Sequence, residues 1–551
     1  MIACQNPQKK KEIHFTFIET TDVHGSFFPY DLVNKEFAEG SLAQIYTYVS
    51  QIRKADTSEV ILLDNGDILQ GTPVVYYANF IDTLGKHPLS KMMNFMGYSA
   101  ATVGNHDIEA GHKVYDLYRS GLHFPLMAAN AIDSTTNKPY FKPYTIIKKE
   151  GIKIAVLGLI TPSIPNWLPE KLWSGMYFND MIVSARKWVK IIQEKEHPDI
   201  LIGLFHSGLN ASYEGADPDA KYNENASLLV AKEVPGFDAV FCGHDHKKKV
   251  FSILNNDSMP VLILNAGAHA RNIAIANIDV KWNSAEKKYD KHINGELVSM
   301  RNVRPDSTFM KKFTPWFNAT KKYTQEEITT LGDSIIAKNA LFGPSKFVDM
   351  IHQVQLETSG ADISFAAPFS IDAVIKAGPL TRADLFNLYR YENYLCTLSL
   401  KGDEIKNYLE FSTNLWFDTS LNANGNYLLL SPEKNSYSGI DLKNAYYNFD
   451  SGAGIKYEIN PKGRKGHRVH IISMADGSKF DPNKIYTVVM NSYRANGGGN
   501  HLTKGVGLSK KELRKRLIHC TNTSFRDILG QWLQKQNKPF IAKKLNLWKI
   551  N

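Results

Sequence analysis

Over the first 300 residues, short apolar runs alternate with longer stretches whose apolar positions recur every three to four residues. The runs 14–20, 59–63, 123–128, 153–159, 199–205, 238–242 and 260–265 have the length and β-branched content of buried strands. Between them, SLAQIYTYVSQIRK and MIVSARKWVKIIQEK carry the helical period. This rhythm predicts α/β layering over residues 13–300, behind a tail at 1–12. Residues 301–335 are polar, helical in pattern and free of strand-like runs, which predicts a linker helix. From 336 to 551 helical patterns (KFVDMIHQVQLETSG, GDEIKNYLEFSTNLW) mix with strand patterns (ADISFAAP, YTVVMNSY), predicting a smaller α+β domain. The Asn- and Gly-rich stretch 420–440 reads as a long surface loop, and no internal repeat or low-complexity segment is present.

Five apolar runs, HFTFIET, EVILL, AATV, DILIGLF and DAVF, lead into polar fragments. These are Thr-Asp22-Val-His24-Gly, Asp64-Asn-Gly-Asp67, Gly-Asn105-His106-Asp107, Phe-His206-Ser-Gly and Gly-His244-Asp-His246. In an open α/β sheet, strand ends converge on the ligand-binding edge. Carboxylates, imidazoles and an amide gathered on one sheet edge predict a site for two metal ions. Each histidine alone is more simply a hydrogen-bonded side chain. Five such fragments in strand-end order favour the metal reading. Without cysteine ligands, the oxygen and nitrogen donors suit zinc, manganese or iron alike.

The bulk numbers narrow the class. A chain of 551 residues, 43% hydrophobic and 22% charged, has an ordinary globular composition. No apolar run reaches the roughly 18 residues of a membrane span. The net charge of +10 favours anionic substrates. The clusters Lys247–Lys249, Arg464–His467 and Lys510–Arg516 read as solvated surface rather than a specific nucleic-acid interface. The four cysteines Cys4, Cys242, Cys396 and Cys520 form no CxxC pair, so neither a zinc knuckle nor a disulfide scaffold is expected. Cys242 reads as a core residue. Ile-Ala-Cys4 resembles the end of a bacterial lipoprotein cleavage site, although the charged and apolar parts of a signal peptide are missing. The expectation is a periplasmic or cell-surface envelope protein, lipid-anchored through Cys4; the alternative is a chance cysteine in a tail.

The five fragments resemble the blocks of the calcineurin-like metallophosphoesterases: D-x-H, G-D, G-N-H-[DE], H and G-H-x-H. Their context, FIETTDVHGSFFPYD, LLDNGDILQGTP and TVGNHDIEAG, is similar to the 5′-nucleotidase family, within it to bacterial 2′,3′-cyclic-nucleotide 2′-phosphodiesterase/3′-nucleotidases. That resemblance implies a four-layer β-sandwich with flanking helices. It implies that Asp22, His24 and His246 hold one ion, Asn105, His206 and His244 the other, and that Asp67 bridges them. It makes His106 the catalytic imidazole, oriented by Glu109 or Asp107; many relatives carry Asp where Glu109 stands.

ADISFAAPFS, GPLTRADLFNLYRYENYLCTLSLKGDEIKNYLE and NSYRANGGG resemble the C-terminal domain of the same family. The resemblance implies a nucleoside held between Tyr493 and Phe449, with Tyr447 competing for the latter place. Asn393, Arg494 and Gly498 are implied substrate contacts, Arg494 equally a buried structural cation. The glycine run 497–499 would let backbone approach the sugar. The implied reaction hydrolyses 2′,3′-cyclic nucleotides and 3′-nucleotides to nucleosides and phosphate by in-line attack of a metal-generated hydroxide. The implied protein is monomeric, with domains closing about the 301–335 hinge. The alternatives are a 5′-nucleotidase or nucleotide-sugar hydrolase of the same family, and a non-catalytic surface nucleotide-binding protein.

Overall fold

The computed structural model describes residues 12–55, 58–213, 216–431 and 440–551. Cys4 lies outside them. The chain divides into two compact units, Met1–Ile164 with Glu170–Thr320, and Pro165–Pro169 with Lys321–Asn551.

The first unit is built on two six-stranded sheets. One runs in the order Lys288–Ser299, Asn272–Asn283, Ile13–Thr20, Glu59–Asp64, Ala100–Thr102, Leu126–Met127. The other runs Lys248–Leu254, Pro260–Ala266, Ala239–Cys242, Ile200–His206, Ile152–Ile160, Tyr144–Lys149. The strands that carry the polar fragments pair in parallel. Antiparallel strands close three of the four rims, and the fourth, Leu126–Met127, pairs in parallel.

Side-chain alternation explains the layering. Phe15, Phe17, Ile61 and Leu63 of one sheet share a core with Ile154, Val156, Ile202 and Leu204 of the other. The intervening Ala155, Leu157 and Leu201 face the opposite way, against Met181, Ala185, Val189 and Val230 of helices Met181–Glu196 and Ser227–Glu233. Strands buried on both faces must be apolar throughout, which is why 153–159 and 199–205 read as unbroken runs. Helix Leu42–Ala55 buries Leu42, Ile45 and Val49. Sheet on sheet with helices outside is the four-layer α/β sandwich expected from the sequence.

Two long strands, 272–283 and 288–299, lie beyond the seven expected runs. The second is mostly exposed and charge-rich, so its alternation hides among surface residues. The 301–335 stretch is also not one helix. Helix Ser307–Thr324 ends before a strand, Glu327–Leu331, that pairs with Gly378–Thr381. Ile328 and Leu331 are buried there. The β-branched run Ile328-Thr329-Thr330 favours the extended backbone that pairs there.

The second unit has a five-stranded sheet in the order Ser451–Ala453, Ile363–Ala366, Ile485–Asn491, Tyr394–Lys401, Leu517–Ser524. Helices Lys346–Ser359, Gly402–Trp416 and Phe525–Gln534 accompany it. Cys396 and Cys520, directly opposite on paired strands, form a disulfide that no spacing rule anticipates. Cys242 is free and buried. Of the expected loop 420–440, residues 432–439 lie outside the described residues; the rest is drawn in by bridges such as Phe417 to Leu428. Among the described residues, no helix is long and apolar enough to cross a membrane.

Candidate metal centre

The polar fragments follow strands Ile13–Thr20, Glu59–Asp64 and Ala100–Thr102 of one sheet and Ile200–His206 and Ala239–Cys242 of the other. The site therefore does not lie on one sheet edge, as the strand-end order suggested. It is assembled where the ends of two facing sheets meet. Hydrogen bonds stitch them together: Asn65 Nδ2 donates to Phe205 O at 3.1 Å, and Thr102 Oγ1 donates to Leu204 O at 3.0 Å.

Two donor groups result. Asp22, His24 and His246 form one, and Asp67, His206 and His244 the other; within each, the ligand atoms lie within 4.8 Å of one another. In the first, Nε2 of His24 and Nε2 of His246 are 3.1 Å apart, and Asp22 Oδ1 is 3.3 Å from His246 Nε2. In the second, His206 Nε2 is 3.2 Å from Asp67 Oδ2 and 3.1 Å from Asn105 Oδ1. His244 Nδ1 is 2.8 Å from the same amide oxygen. All seven expected ligands thus come together, and Asp22, His24, Asp67, Asn105 and His206 are buried.

The backbone is strained to achieve this. Asp22, His24, Asp67, His244 and His246 have φ of 49°, 47°, 56°, 72° and 57°. Left-handed conformations at non-glycine residues cost about 1 kcal/mol or more each and persist only where the surroundings enforce them. The amides of Asp22 and His24 are held by the carbonyls of Gly66 and Asp67, and the His244 amide donates to the Asp22 carboxylate.

The electrostatics of the protein alone match a cation site. Burial would raise both aspartates, but the hydrogen bond from His246 and the charge of His206 hold Asp22 low, and His206 and His106 hold Asp67 low. Burial and the charge of His246 push His24 down to about 4. His206, against the pull of burial, is pushed up to about 10 by Asp67. Two imidazoles facing each other at 3.1 Å beside a buried carboxylate are poor partners for one another and good ligands for a divalent ion.

A proton must leave His206, and another the raised His246, before either ring can bind a cation. Metal affinity should therefore rise with pH, by about tenfold per pH unit for each proton displaced. Chelator-competition titrations between about pH 6 and 8 check this; a flat profile would contradict it.

His106 lies beside the donors but in neither group. Its ring is 5.4 Å from that of His24, and Glu109 Oε2 is 2.5 Å from its Nδ1. Burial opposes its charged form, yet Asp67 and Glu109 push it up to about 9. Asp107 points elsewhere. Its carboxylate accepts backbone N–H bonds from Asp67, Ile68, Leu69 and Gly104 at 2.7–3.0 Å, clamping two loops together. Asp107 is therefore a loop clamp rather than the partner of His106. Its four amide bonds leave no oxygen for the imidazole.

Three of the expected nucleoside contacts read differently in the second unit. Phe449 is wholly buried and stacks on Trp416, ring centroids 5.2 Å apart, so it has no face to offer a base. Tyr447, the competitor for that place, is half-buried and edge-on to Tyr391 at 6.3 Å. Arg494 is a buried structural cation. It pairs with Asp450 through two hydrogen bonds of 2.9 and 3.0 Å and donates to the carbonyls of Gly498 and Tyr447. The glycine run serves these side chains: a Cβ at Gly498 would lie 2.6 Å from the Tyr493 ring, and one at Gly499 1.9 Å from Arg494 Nη1. Backbone approaches the protein's own residues there. Asn393 is mostly buried and donates to Tyr389 Oη, and Tyr493 is half-buried. Arg494→Met should destabilise the second unit by about 3–5 kcal/mol, because Asp450 would keep a buried charge without a partner. Chemical denaturation checks this, and a loss below about 1 kcal/mol would contradict it.

Two residues were not singled out in the sequence. Glu224 Oε1 lies 3.0 Å from His244 Nε2. His269 lies beside His24 and His246, ring centroids 5.5 and 6.0 Å away, with part of its side chain exposed, and its amide donates to Asp22 O. No strand-end fragment contains Glu224. His269 does follow a strand and a glycine, in Gly267-Ala-His269.

Residues 15–248 match the family model for calcineurin-like phosphoesterase, and residues 324–504 the model for the 5′-nucleotidase C-terminal domain. A Salmonella typhimurium 2′,3′-cyclic-nucleotide 2′-phosphodiesterase/3′-nucleotidase is 27% identical over 88% of this chain and 82% of its own length. A Bacillus subtilis trifunctional nucleotide phosphoesterase is 24% identical over 98% of this chain, which spans only 39% of that protein. A Staphylococcus aureus crystal structure superposes with a TM-score of 0.80 at 21% identity, covering 98% of this chain and 99% of that one. With both halves matched and the donor groups in place, this chain belongs to the calcineurin-like phosphoesterases that carry a 5′-nucleotidase C-terminal domain.

Proposed function

We propose that this protein is a metal-dependent hydrolase of nucleotide phosphate esters, acting on 2′,3′-cyclic nucleotides and 3′-nucleotides to release nucleosides and phosphate. The observation that carries this reading is His106, an imidazole held by Glu109 beside two complete donor groups and committed to neither. Asp22, His24 and His246 would hold one divalent ion, Asn105, His206 and His244 the other, with Asp67 between them. Two ions bound there supply Lewis-acid charge and orient water for in-line attack on phosphorus.

The protein's own groups do the rest. Glu109 fixes the His106 ring through Nδ1, which leaves Nε2 to carry the mobile proton. That nitrogen donates to a phosphoryl oxygen or to the departing ribose oxygen. In the second unit, Tyr493 and Tyr447 offer aromatic faces on which any base can stack. The disulfide Cys396–Cys520 supports a setting outside the reducing cytoplasm, with Cys4 as a lipid anchor. An unmodified Cys4 in the protein expressed with its natural upstream sequence would remove the anchor.

The second reading is a 5′-nucleotidase, favoured by the match to that family's C-terminal domain. A phosphate-release panel with added Mn²⁺ or Zn²⁺ separates them: 2′,3′-cyclic AMP and 3′-AMP should be cleaved faster than 5′-AMP and UDP-glucose. The reverse order would favour the second reading. No release from any of them, by protein holding two ions, would leave a binding protein.

A further inference from the structure

In three of the four ligand histidines, the ring nitrogen turned away from the donor group has a defined partner. His206 Nδ1 lies 2.6 Å from Asn65 O, and His24 Nδ1 lies 3.3 Å from Gln70 O. Both partners are neutral backbone carbonyls. His244 differs: its Nδ1 faces Asn105 Oδ1, and its Nε2 lies 3.0 Å from the carboxylate of Glu224.

The two donor groups are also unequal in charge. The first has Asp22 to itself. The second relies on Asp67, which stands between the groups, and otherwise on the neutral Asn105 amide and two imidazoles. A dication in the second group would be the less neutralised of the two. A carboxylate accepting the outer N–H of a ligating imidazole fixes the tautomer and ring orientation and strengthens the inner nitrogen as a donor.

Glu224 is well placed for this. Its carbonyl accepts from Ser207 Oγ at 2.7 Å, the Ala226 amide donates back to Ser207 Oγ at 2.9 Å, and Ser227 Oγ donates to Ser207 O at 2.7 Å. Ser207 directly follows the ligand His206. The backbone that carries Glu224 is thus tied to the strand end that carries the second donor group. Its side chain is about one-third exposed, so its influence passes through the hydrogen bond rather than through screened space.

We infer that Glu224 is a positioning residue for the second metal ion. It holds the His244 Nε2–H so that Nδ1 presents its lone pair to the ion, and it lends that ligand negative charge. This rests on the metal reading above.

The test titrates the full-length metal-free protein with Co²⁺ alone against a competing chelator, following the d–d absorption of each bound ion. In Glu224→Ala the second ion should bind about 10- to 100-fold more weakly, with the first unchanged. In Glu224→Gln the amide oxygen still accepts from Nε2–H but carries no charge, so a loss of about tenfold is expected; this variant carries the test if the alanine variant fails to fold. Wild-type affinity for both ions in the variants, or equal weakening of both, would overturn the inference. A wild-type protein that binds no second Co²⁺ would overturn the metal reading itself.

Discussion

His106→Ala should lower kcat by about two to four orders of magnitude while both ions stay bound. The side chain belongs to neither donor group, so its removal deletes no ligand. Its backbone amide, which donates to Asp67 Oδ1 at 2.8 Å, is retained in the alanine variant. The loss would therefore appear in the chemical step, with metal content measured by elemental analysis unchanged. Glu109→Ala gives an independent check. Burial lowers the affinity of His106 for its proton, while Asp67 and Glu109 raise it to give about 9. Without Glu109 the imidazole sheds its proton at lower pH, so the alkaline limb of the kcat profile should move to lower pH. Activity within about threefold of wild type in His106→Ala would remove the imidazole from the reaction.

Asp67→Ala should abolish the second ion, weaken the first, and reduce activity by at least about three orders of magnitude. Asp67 is buried and faces His206 Nε2 at 3.2 Å, and its negative charge also acts on His24 and His106. Removing it leaves several imidazoles around an uncompensated cavity, where a dication meets repulsion in place of a shared carboxylate. Elemental analysis should find at most one ion per chain. Circular dichroism should show the fold intact, because the Asp67 and Leu69 amides still donate to Asp107. Two ions with more than about a tenth of wild-type activity would contradict the bridging role.

Much of the metal centre was legible because its ligands are local in sequence. Asp22 and His24, or His244 and His246, sit two apart in turns that directly follow apolar runs. A strand end fixes where its turn emerges. The Glu109 bond was equally local, three residues from His106 along one short helix. Asp107 misled because the intervening position on that helix turns its carboxylate towards the amides of a neighbouring loop. Glu224 carries no local signal: it lies 20 residues from His244 and 18 from His206, joined to them only through folded contacts.

The second unit shows the opposite balance. Its aromatic and glycine motifs were conspicuous, yet their roles depended on burial. Phe449 went into the core beside Trp416, and Arg494 was consumed by Asp450. A motif specifies residue types. Whether an aromatic ring meets a ligand or another ring is decided by which elements pack over it.

By itself, then, the sequence determined the α/β layering and held, in its strand-end fragments, the seven donor residues that the fold brings together; its family resemblance set the His106 imidazole apart from them. Periodicity and strand-end chemistry act within a few residues and are written directly in the order of the chain. Only the tertiary structure decided that the ligands divide between two sheets and that Glu109 rather than Asp107 holds His106. It alone paired Cys396 with Cys520 and took Phe449 away from the solvent. Those outcomes depend on contacts between residues distant in sequence, set by the packing of whole layers.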